Sequence, residues 1–406
     1  MNIDFMRWID QKAGIPLCFL LTPILALKNR LSRQAVSGQA KKILFIELSE
    51  MGSMVLAYSL FKKTAALYPD AELFFLTFQR NRYAIDILDV FPQKNVVTID
   101  DSTLAGFLRT TLAALRTIRR AKITTAIDLE FFSRFTALLV SLSGARERIG
   151  FHRYHEEGLY RGNLLTHRVL YNAQIHTAYN LLNLIYALAS KTESVPLPKR
   201  RISDQDLILP RSPDITEPAR KELFEKMSGQ NERIAGAETL ILFNPNAGDI
   251  IPLRRWPLEN YIELGRRLLE HPGAFIIITG IDSERSAGDK ICRSLRSERC
   301  LNLAGMTTFP ELIGLYQISH ALITNDSGPG HFSAMTGIQT FIFFGPETPK
   351  LYGPLGKNSH IFYSGYSCSP CVSVHNHRQS PCRDNQCLKA ISAQDVYTAI
   401  KKELWG

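Results

Sequence analysis

The stretch from Ala321 to Pro349, ALITNDSGPGHFSAMTGIQTFIFFGPETP, joins two apolar segments through a polar loop that contains glycine. Ala321–Thr324 and Thr340–Phe344 have the composition of buried parallel strands, and Phe332–Gly337 predicts a short helix between them. The loop therefore follows the first strand of a β-α-β unit, which is where open α/β sheets bind ligands. Free backbone amides at the start of the helix predict an anion-binding site.

Three other loops after predicted strands, FNPNAGDIIPLRRWP, ITGIDSE and LAGMTT, carry residues of the same kind. A glycine after a strand is commonly only a turn. Four such loops with an arginine pair nevertheless predict a nucleotide diphosphate bound by backbone amides, with Asp326 binding sugar hydroxyls. For His331, a buried histidine bonded to its own loop is the alternative. The candidate ligand-binding residues of the four loops are Asn246, Gly248, Arg254, Arg255, Gly280, Gly305, Thr307, Asp326, Ser327, Gly328 and His331.

Composition narrows the class of ligand. The formal charge is 48 minus 38, or +10, which favours anionic partners such as nucleotide phosphates, phospholipid headgroups and phosphorylated glycolipids. No Gly-x-x-x-x-Gly-Lys occurs, and no Gly-x-Gly-x-x-Gly follows a strand, so nucleoside triphosphate hydrolysis and standard dinucleotide binding lose support. The sequence has no zinc-finger or RNA-binding signature either, so we expect no nucleic-acid partner.

Four of the seven cysteines lie in one segment, CSPCVSVHNHRQSPCRDNQC. A Cys-x-x-Cys followed by a wider pair is a candidate structural zinc site, with His375 and His377 as additional ligands. The alternative is a thiol-rich loop without metal, or a single disulfide in an oxidising compartment. We predict that the remaining three cysteines, Cys18, Cys292 and Cys300, are isolated thiols. The four clustered cysteines are Cys368, Cys371, Cys382 and Cys387.

The elements that must position these loops alternate along the chain. Apolar segments such as KKILFIEL, AELFFLTF and TTAIDLE alternate with helical stretches, and TLILFN, AFIIITG and CLNLAG do the same in the second half. This alternation predicts a parallel, doubly wound α/β sheet in each half, and hence two Rossmann-like domains that face a cleft. We predict an N-terminal segment over residues 1–40, a first domain over 41–225 and a second domain over 226–406. The last helix is predicted to pack back on the first domain.

The first forty residues contain the most apolar run, Ala13–Leu27. It is shorter than the roughly 20 residues of a spanning helix, and Pro16 and Pro23 interrupt it. Basic residues flank the run, and no small-residue cleavage site follows. The pattern predicts a helix on the cytoplasmic face of the inner membrane, peripheral or monotopic, held by apolar burial and by attraction to anionic lipid. An N-terminal helix packed on the protein itself is the alternative.

The segment NLAGMTTFPELIGLYQISHALITNDSGPGHFSAMTGIQTFIFFGPETP, with FNPNAG and RRWPLENYIELGRRL before it, resembles the donor-site signature of the bacterial heptosyltransferases, glycosyltransferase family nine. The resemblance extends from Lys41 onward. It implies a GT-B fold with the acceptor in the first domain and the nucleotide sugar in the second. It also implies inversion at the anomeric carbon without a required metal or other cofactor. Asp326, Ser327, Gly328 and His331 then bind the donor, and Arg254 replaces a phosphate-binding lysine.

One position departs from the family pattern. The first loop of the family usually contains Gly-Asp, and that aspartate is regarded as the catalytic base, whereas this chain has Gly52 followed by Ser53. A serine hydroxyl is not a base at neutral pH without help, and Ser53 can instead be a helix N-cap. We predict Glu50 as the base and Glu130 as the second choice; a catalytically impaired or chemically altered member is the third. The predicted acceptor-side residues are Gly52, Ser53, Asp128 and Arg134.

The resemblance predicts an inverting, metal-independent glycosyltransferase. Its donor is a nucleotide diphosphate sugar, ADP-heptose being the family's commonest, and its acceptor is lipid-linked or the lipopolysaccharide core. The alternatives are a non-catalytic nucleotide-sugar-binding protein, which the missing aspartate favours, and a nucleotide-sugar epimerase of the same two-domain build.

Overall fold

The computed structural model describes residues 3–31, 40–190, 194–248, 251–376 and 378–406. The chain forms two compact units. The first contains residues 1–208 together with the short segment Val374–Arg378, and the second contains residues 209–373 and 379–406. The units therefore divide earlier than the predicted boundary at 225/226, which falls inside a helix of the second unit.

The first unit is built on a six-stranded sheet in which every neighbouring pair of strands is parallel. Its strands are β1 (Lys42–Ile46), β2 (Glu72–Phe78), β3 (Val96–Ile99), β4 (Thr125–Asp128), β5 (Glu147–Phe151) and β6 (His167–Val169). Its helices are α1 (Ile3–Lys12), α2 (Gly14–Leu31), α3 (Met51–Leu56), α4 (Tyr58–Leu67), α5 (Arg82–Asp86), α6 (Leu104–Ala121), α7 (Arg134–Leu142) and α8 (Thr177–Leu188).

The second unit contains another parallel six-stranded sheet. Its strands are β7 (Thr239–Asn244), β8 (Ala274–Ile278), β9 (Cys300–Asn302), β10 (Ala321–Asn325), β11 (Gln339–Phe344) and β12 (Ser359–Tyr363). Its helices are α9 (Glu217–Gln230), α10 (Leu258–Leu268), α11 (Arg285–Leu295), α12 (Phe309–Ile318), α13 (Gly328–Ser333), α14 (Pro349–Tyr352), α15 (Gln386–Lys389) and α16 (Ala393–Trp405).

The two sheets have the same strand order. The first runs β3-β2-β1-β4-β5-β6, and the second, read from its other edge, runs β9-β8-β7-β10-β11-β12. In each sheet the order reverses between the first and fourth strands, β1 and β4 or β7 and β10. Ligands of doubly wound sheets bind outside the carboxyl ends of the strands at this reversal. The predicted α/β fold with two Rossmann-like halves is confirmed.

Several elements differ from the sequence expectation. The edge strands β6 and β12 were not predicted, because an edge strand is only partly covered and its sequence lacks a continuous apolar run. Helix α13 begins at Gly328 rather than Phe332, since Pro329 is favourable in the first turn of a helix. The apolar face of α16, predicted to pack on the first domain, is buried in the second unit's own core through Val396 and Ile400.

The N-terminal helices are part of the first unit. Helices α1 and α2 pack on each other, and both contact α7. Cys18 and Leu25 of α2 are buried against Ala137 and Leu164. The helical stretch Phe5–Leu27 is long and apolar enough to span a membrane by length and composition, although most of it is not buried within the protein. The predicted linker that follows lies largely outside the described residues.

Candidate functional site

The second unit gathers three charged side chains at the carboxyl ends of neighbouring strands. Arg254 ends a short 3-10 turn after β7, Asp326 follows β10 and Glu347 comes soon after β11. The Nη1 atom of Arg254 lies 3.4 Å from Glu347 Oε2 and 3.7 Å from Asp326 Oδ2. We call these three residues the Arg254 cluster. Two of its members were predicted site residues, and Glu347 was not.

The charges of the Arg254 cluster are governed by burial. Burial first, and the negative charge of Asp326 second, raise the pKa of Glu347 to about 8. Burial also raises the pKa of Asp326, although the guanidinium of Arg254 opposes this shift. At neutral pH Glu347 therefore carries a proton, beside the guanidinium of Arg254 and the negative charge of Asp326.

Two polar atoms of the Arg254 cluster, Arg254 Nε and Asp326 Oδ2, have no hydrogen-bond partner within the described part of the chain. Buried polar groups in native proteins nearly always have a partner, so an exception calls for a ligand, a water or a strained site as its reason. A phosphate oxygen is a suitable acceptor for Arg254 Nε, and a sugar hydroxyl is a suitable donor to Asp326 Oδ2.

The backbone around the Arg254 cluster is fixed by Asn325, the last residue of β10. Its side-chain Oδ1 accepts a hydrogen bond from the Trp256 amide at 2.8 Å, and its Nδ2 donates to the Asn246 carbonyl at 3.1 Å. Trp256 is buried, and its indole N–H donates to the Ile391 carbonyl. Because Arg254 is two residues before Trp256, this network anchors the loop that carries the guanidinium.

The other predicted residues of this unit lie at different distances from the strand reversal. Arg255 Nη2 donates to the Gly248 carbonyl at 2.9 Å, so these two are together in the β7 loop. Ser327 and Gly328 start α13, and His331 is buried within that helix.

Gly280, Gly305 and Thr307 follow β8 and β9, which are separated from β10 by at least β7. The amide of Gly305 donates to the Gly280 carbonyl. Gly305 has a φ of +74°, and a Cβ there would lie 2.7 Å from Asp282 Cα, so the turn itself requires this glycine. The bond between Gly305 and Gly280 therefore joins the loops that follow β8 and β9.

In the first unit, Glu130 joins the loops that follow β1 and β4. Its Oε1 accepts hydrogen bonds from the amides of Leu48 at 2.9 Å and Ser49 at 2.7 Å, and from the Ser49 hydroxyl at 2.8 Å. A carboxylate oxygen with three donors has little capacity left to take a proton from a substrate. The second-choice base is therefore engaged in holding the loop.

Glu50 is in a different position. It is the N-cap residue of α3 but makes no side-chain capping bond, and its carboxylate forms an ion pair with Arg378 of the segment Val374–Arg378. Burial lowers the pKa of Arg378 to about 10, with the charge of Glu47 opposing. Glu47 itself is fully buried, and burial raises its pKa well above the usual range. Glu50 is thus the more accessible carboxylate of this loop.

Gly52 and Ser53 lie inside α3, so the proposed N-cap role of Ser53 is wrong. The Ser53 side chain is buried, and its hydroxyl donates to the Glu50 carbonyl at 2.7 Å. This bond to the preceding turn is common for a serine in a helix.

Two predicted acceptor-side residues are buried in ion pairs instead. Asp128 is 0% exposed and pairs with the buried Arg161, which also donates to the Glu130 carbonyl. Arg134 pairs with Asp10 of α1 at 3.0 Å and donates to the Tyr160 carbonyl. Asp10 also accepts from the amides of Arg134 and Phe135 at the start of α7. Both predicted residues therefore hold the first unit together, because their charged atoms are already paired away from solvent.

The described residues contain no group of three His, Cys, Asp or Glu side chains arranged to hold a metal ion. The predicted zinc site at Cys368, Cys371, Cys382 and Cys387 thus gains no support; Cys387 is buried whereas Cys368 is exposed. His377 lies outside the described residues. Cys292 and Cys300, expected as isolated thiols, form a disulfide between α11 and β9.

The residues that sequence reasoning missed are Glu347, Arg161 and Arg378. Glu347 had a usable signal, because it follows β11 and the ends of neighbouring parallel strands meet at one edge. Arg161 and Arg378 lie in irregular segments, far along the chain from Asp128 and Glu50, and no local pattern marks them.

The sequence and the fold of this chain are similar to those of known proteins. The lipopolysaccharide heptosyltransferase 2 of Salmonella typhimurium is 31% identical over 131 residues, 32% of this chain and 37% of the relative. The chain therefore matches little more than a third of the length of that relative. The lipopolysaccharide heptosyltransferase 3 of Escherichia coli is 24% identical over 87% of this chain and 96% of its own length.

Among solved structures, the ADP-heptose lipopolysaccharide heptosyltransferase II of Escherichia coli has the same fold. Its TM-score is 0.67 at 21% identity, over 89% of this chain and 98% of that one. The sequence model described as glycosyltransferase family 9 (heptosyltransferase) matches residues 112–380, which is more than half of the chain. The chain belongs to glycosyltransferase family 9.

Proposed function

We propose that this protein is a glycosyltransferase that transfers heptose from ADP-heptose to a lipid-linked acceptor of lipopolysaccharide core synthesis. Family membership and the names of the similar heptosyltransferases support this proposal. The observation that carries it is the Arg254 cluster, where Arg254 Nε and Oδ2 of the buried Asp326 have no hydrogen-bond partner among the described residues. We assign donor binding to the second unit and acceptor activation to the first.

In the proposed reaction, a carboxylate removes the proton of an acceptor hydroxyl, whose oxygen attacks the anomeric carbon from the face opposite the diphosphate. The bond between this carbon and the diphosphate oxygen breaks, so the configuration inverts and the nucleotide diphosphate leaves. Arg254, with Arg255 beside it, neutralises the charge that collects on the leaving group. This is the role that a divalent metal has in other glycosyl transfers, and the proposed mechanism requires no metal.

Glu50 is the base in this proposal. Glu47 is fully buried, and burial raises its pKa, while Glu130 already accepts three hydrogen bonds at one oxygen. Glu50 is partly exposed and is paired with a cation, which favours its ionised form. An ionised, accessible carboxylate is what removal of a hydroxyl proton requires.

We also propose that α1 and α2 bind the cytoplasmic face of the inner membrane. Phe19 and Leu20 are 67% and 60% exposed, and Trp8, Ile24 and Leu27 are exposed as well. Large apolar side chains in this density favour a bilayer interface. Co-sedimentation with vesicles that contain anionic phospholipid tests this role. Replacing Phe19 and Leu20 by glutamate is expected to reduce vesicle binding at least tenfold. The control is the same change at the exposed Ile281 and Ile361 of the second unit, which should leave vesicle binding unchanged.

The transfer reaction is tested with purified protein, ADP-heptose and an extracted lipopolysaccharide fraction that lacks the outer core. Mass spectrometry is expected to detect ADP together with an acceptor that is heavier by one heptose, and NMR of the new linkage reports the anomeric configuration. Chelation of divalent metals is expected to leave the rate unchanged. If no nucleotide sugar releases its nucleotide diphosphate, although the protein binds ADP, the transferase is rejected.

That outcome would favour the second candidate, a nucleotide-sugar-binding protein without catalytic activity. The observation in its favour is Ser53, which occupies the position of the family's aspartate and whose hydroxyl is bonded to its own helix. Membership in a family of glycosyltransferases disfavours the epimerase alternative.

A further inference from the structure

Glu347 is the least accessible member of the Arg254 cluster, and its placement is unusual for a glutamate. It is 1% exposed, and its Oε2 lies 3.4 Å from Arg254 Nη1. Asp326 is its second charged neighbour, since Asp326 Oδ2 lies 3.7 Å from the same Nη1 atom. Two carboxyl groups beside one guanidinium nitrogen cannot both be ionised without excess negative charge in a buried place.

We propose that Glu347 is a positioning residue of the donor site: its neutral form holds Arg254 and Asp326 ready for the nucleotide diphosphate, and its ionised form repels that ligand. This inference rests on the proposed function, since it assumes that the Arg254 cluster binds the donor.

Counting charges explains the effect. With Glu347 neutral, Arg254 and Asp326 balance each other, and the guanidinium can be shared with an incoming phosphate. With Glu347 ionised, the cluster carries one net negative charge directly beside the position of the diphosphate. The charged groups that act on Glu347 are Asp326 at the end of β10 and Arg254 after β7. Burial and the charge of Asp326 raise the pKa of Glu347 to about 8, so this change of state falls in an accessible pH range.

The test is calorimetric binding of ADP to the full-length protein between pH 7.5 and 9.5. The terminal phosphate of ADP is already ionised in this range, because its pKa lies near 6. Wild-type protein is expected to bind ADP with a Kd that rises up to about tenfold per pH unit above the pKa of Glu347. In two buffers of different ionisation enthalpy, binding near pH 8.5 is expected to take up part of a proton.

The variant Glu347→Gln keeps the size and a hydrogen-bonding end but cannot ionise. It is expected to bind ADP at pH 7.5 with a Kd within about threefold of the wild type, to show a flat Kd up to pH 9.5 and to take up no proton. Glu263→Gln is the matched control, since Glu263 is an exposed residue of α10 that pairs with Arg267, and it should retain the wild-type pH dependence.

The outcomes are distinguishable. A wild-type Kd that does not change between pH 7.5 and 9.5 overturns the inference without reference to any variant. So does a Glu347→Gln protein that melts like the wild type but keeps the wild-type pH dependence or loses ADP binding at pH 7.5. If the wild type does not bind ADP at any pH, the donor site itself is wrong, and the proposed function fails together with this inference.

Discussion

The two units place acidic and basic side chains at the same point of the same sheet topology, yet use them differently. At the reversal of the first sheet, Asp128 is paired with Arg161, and Glu130 is occupied by the amides of the neighbouring loop. At the reversal of the second sheet, Arg254 faces two carboxyl groups, and Arg254 Nε and Asp326 Oδ2 have no hydrogen-bond partner among the described residues.

This difference shows how one topology serves two purposes. Charges that are paired and hydrogen-bonded within the protein fix the loops, whereas Glu50 keeps a partly exposed carboxylate. In the Arg254 cluster, charged side chains lack some of their hydrogen-bond partners. Asn325 and Trp256 hold the loop that carries them, so that these side chains are available to a ligand. The following variants test whether the first group is structural and the second is functional.

The largest effect is expected at Arg161. Replacement by methionine leaves the carboxylate of Asp128 buried without its cation, so the free energy of unfolding should fall by about 3–5 kcal/mol. Urea denaturation followed by circular dichroism measures this change. The double variant Arg161→Met with Asp128→Leu is the control, and it should recover most of the stability. An unchanged denaturation midpoint in Arg161→Met would show that the pair is not structural.

Arg254 is expected to show the opposite pattern, a loss of function. Replacement by alanine removes the cation that neutralises the leaving diphosphate, so the rate of transfer should fall about 100-fold to 1,000-fold. Calorimetry should also detect weaker ADP binding. Arg254→Lys keeps the charge but not the planar fork, and it should have an intermediate rate. Wild-type turnover by the alanine variant would contradict this difference, because the Arg254 cluster would then be structural, like the paired charges of the first unit.

Glu50 and Glu130 separate the two roles within the first unit. Glu50→Gln should lower the rate about 100-fold, because the base is lost, while ADP binding remains unchanged. Glu130→Gln should keep the rate within a few-fold but reduce stability by about 1.5 kcal/mol, since its hydrogen bonds lose their charged acceptor. Rate measurements at saturating donor, paired with thermal melts, give both quantities. The reverse result would make Glu130 the base.

The smallest effect is expected at Asp10, which attaches α1 to the start of α7. Asp10→Asn keeps an oxygen for the amides of Arg134 and Phe135 but loses the charge beside Arg134. Unfolding free energy should fall by about 1–2 kcal/mol, as for a lost helix cap with a partly buried ion pair. Thermal melts and limited proteolysis near the N-terminus measure this, with the exposed Asp70 changed to asparagine as the control. No change would mean that apolar packing alone holds the N-terminal helices.

The sequence was sufficient for the fold because strands such as β1 and β8 have a continuous apolar run. It was less informative at the edges, where β6 and β12 are partly covered and their patterns are weak. In the candidate site, Arg254 and Asp326 were predicted from their loops and from the family resemblance. Arg161 and Arg378 could not be predicted, because their ion pairs depend on tertiary contacts between distant parts of the chain. For the same reason the sequence does not show that Asp128 and Arg134 are paired, since a position after a strand does not reveal the partner of a charge.

The most direct test of the account is a crystal structure with ADP bound. The central claim is that the second unit binds the nucleotide diphosphate through Arg254 and the residues after β10. The expected result is a phosphate oxygen within hydrogen-bond distance of the Arg254 guanidinium, with Glu347 and Asp326 still in contact behind it. ADP bound elsewhere, or Arg254 still enclosed by the two carboxyl groups with no phosphate in reach, would contradict the claim.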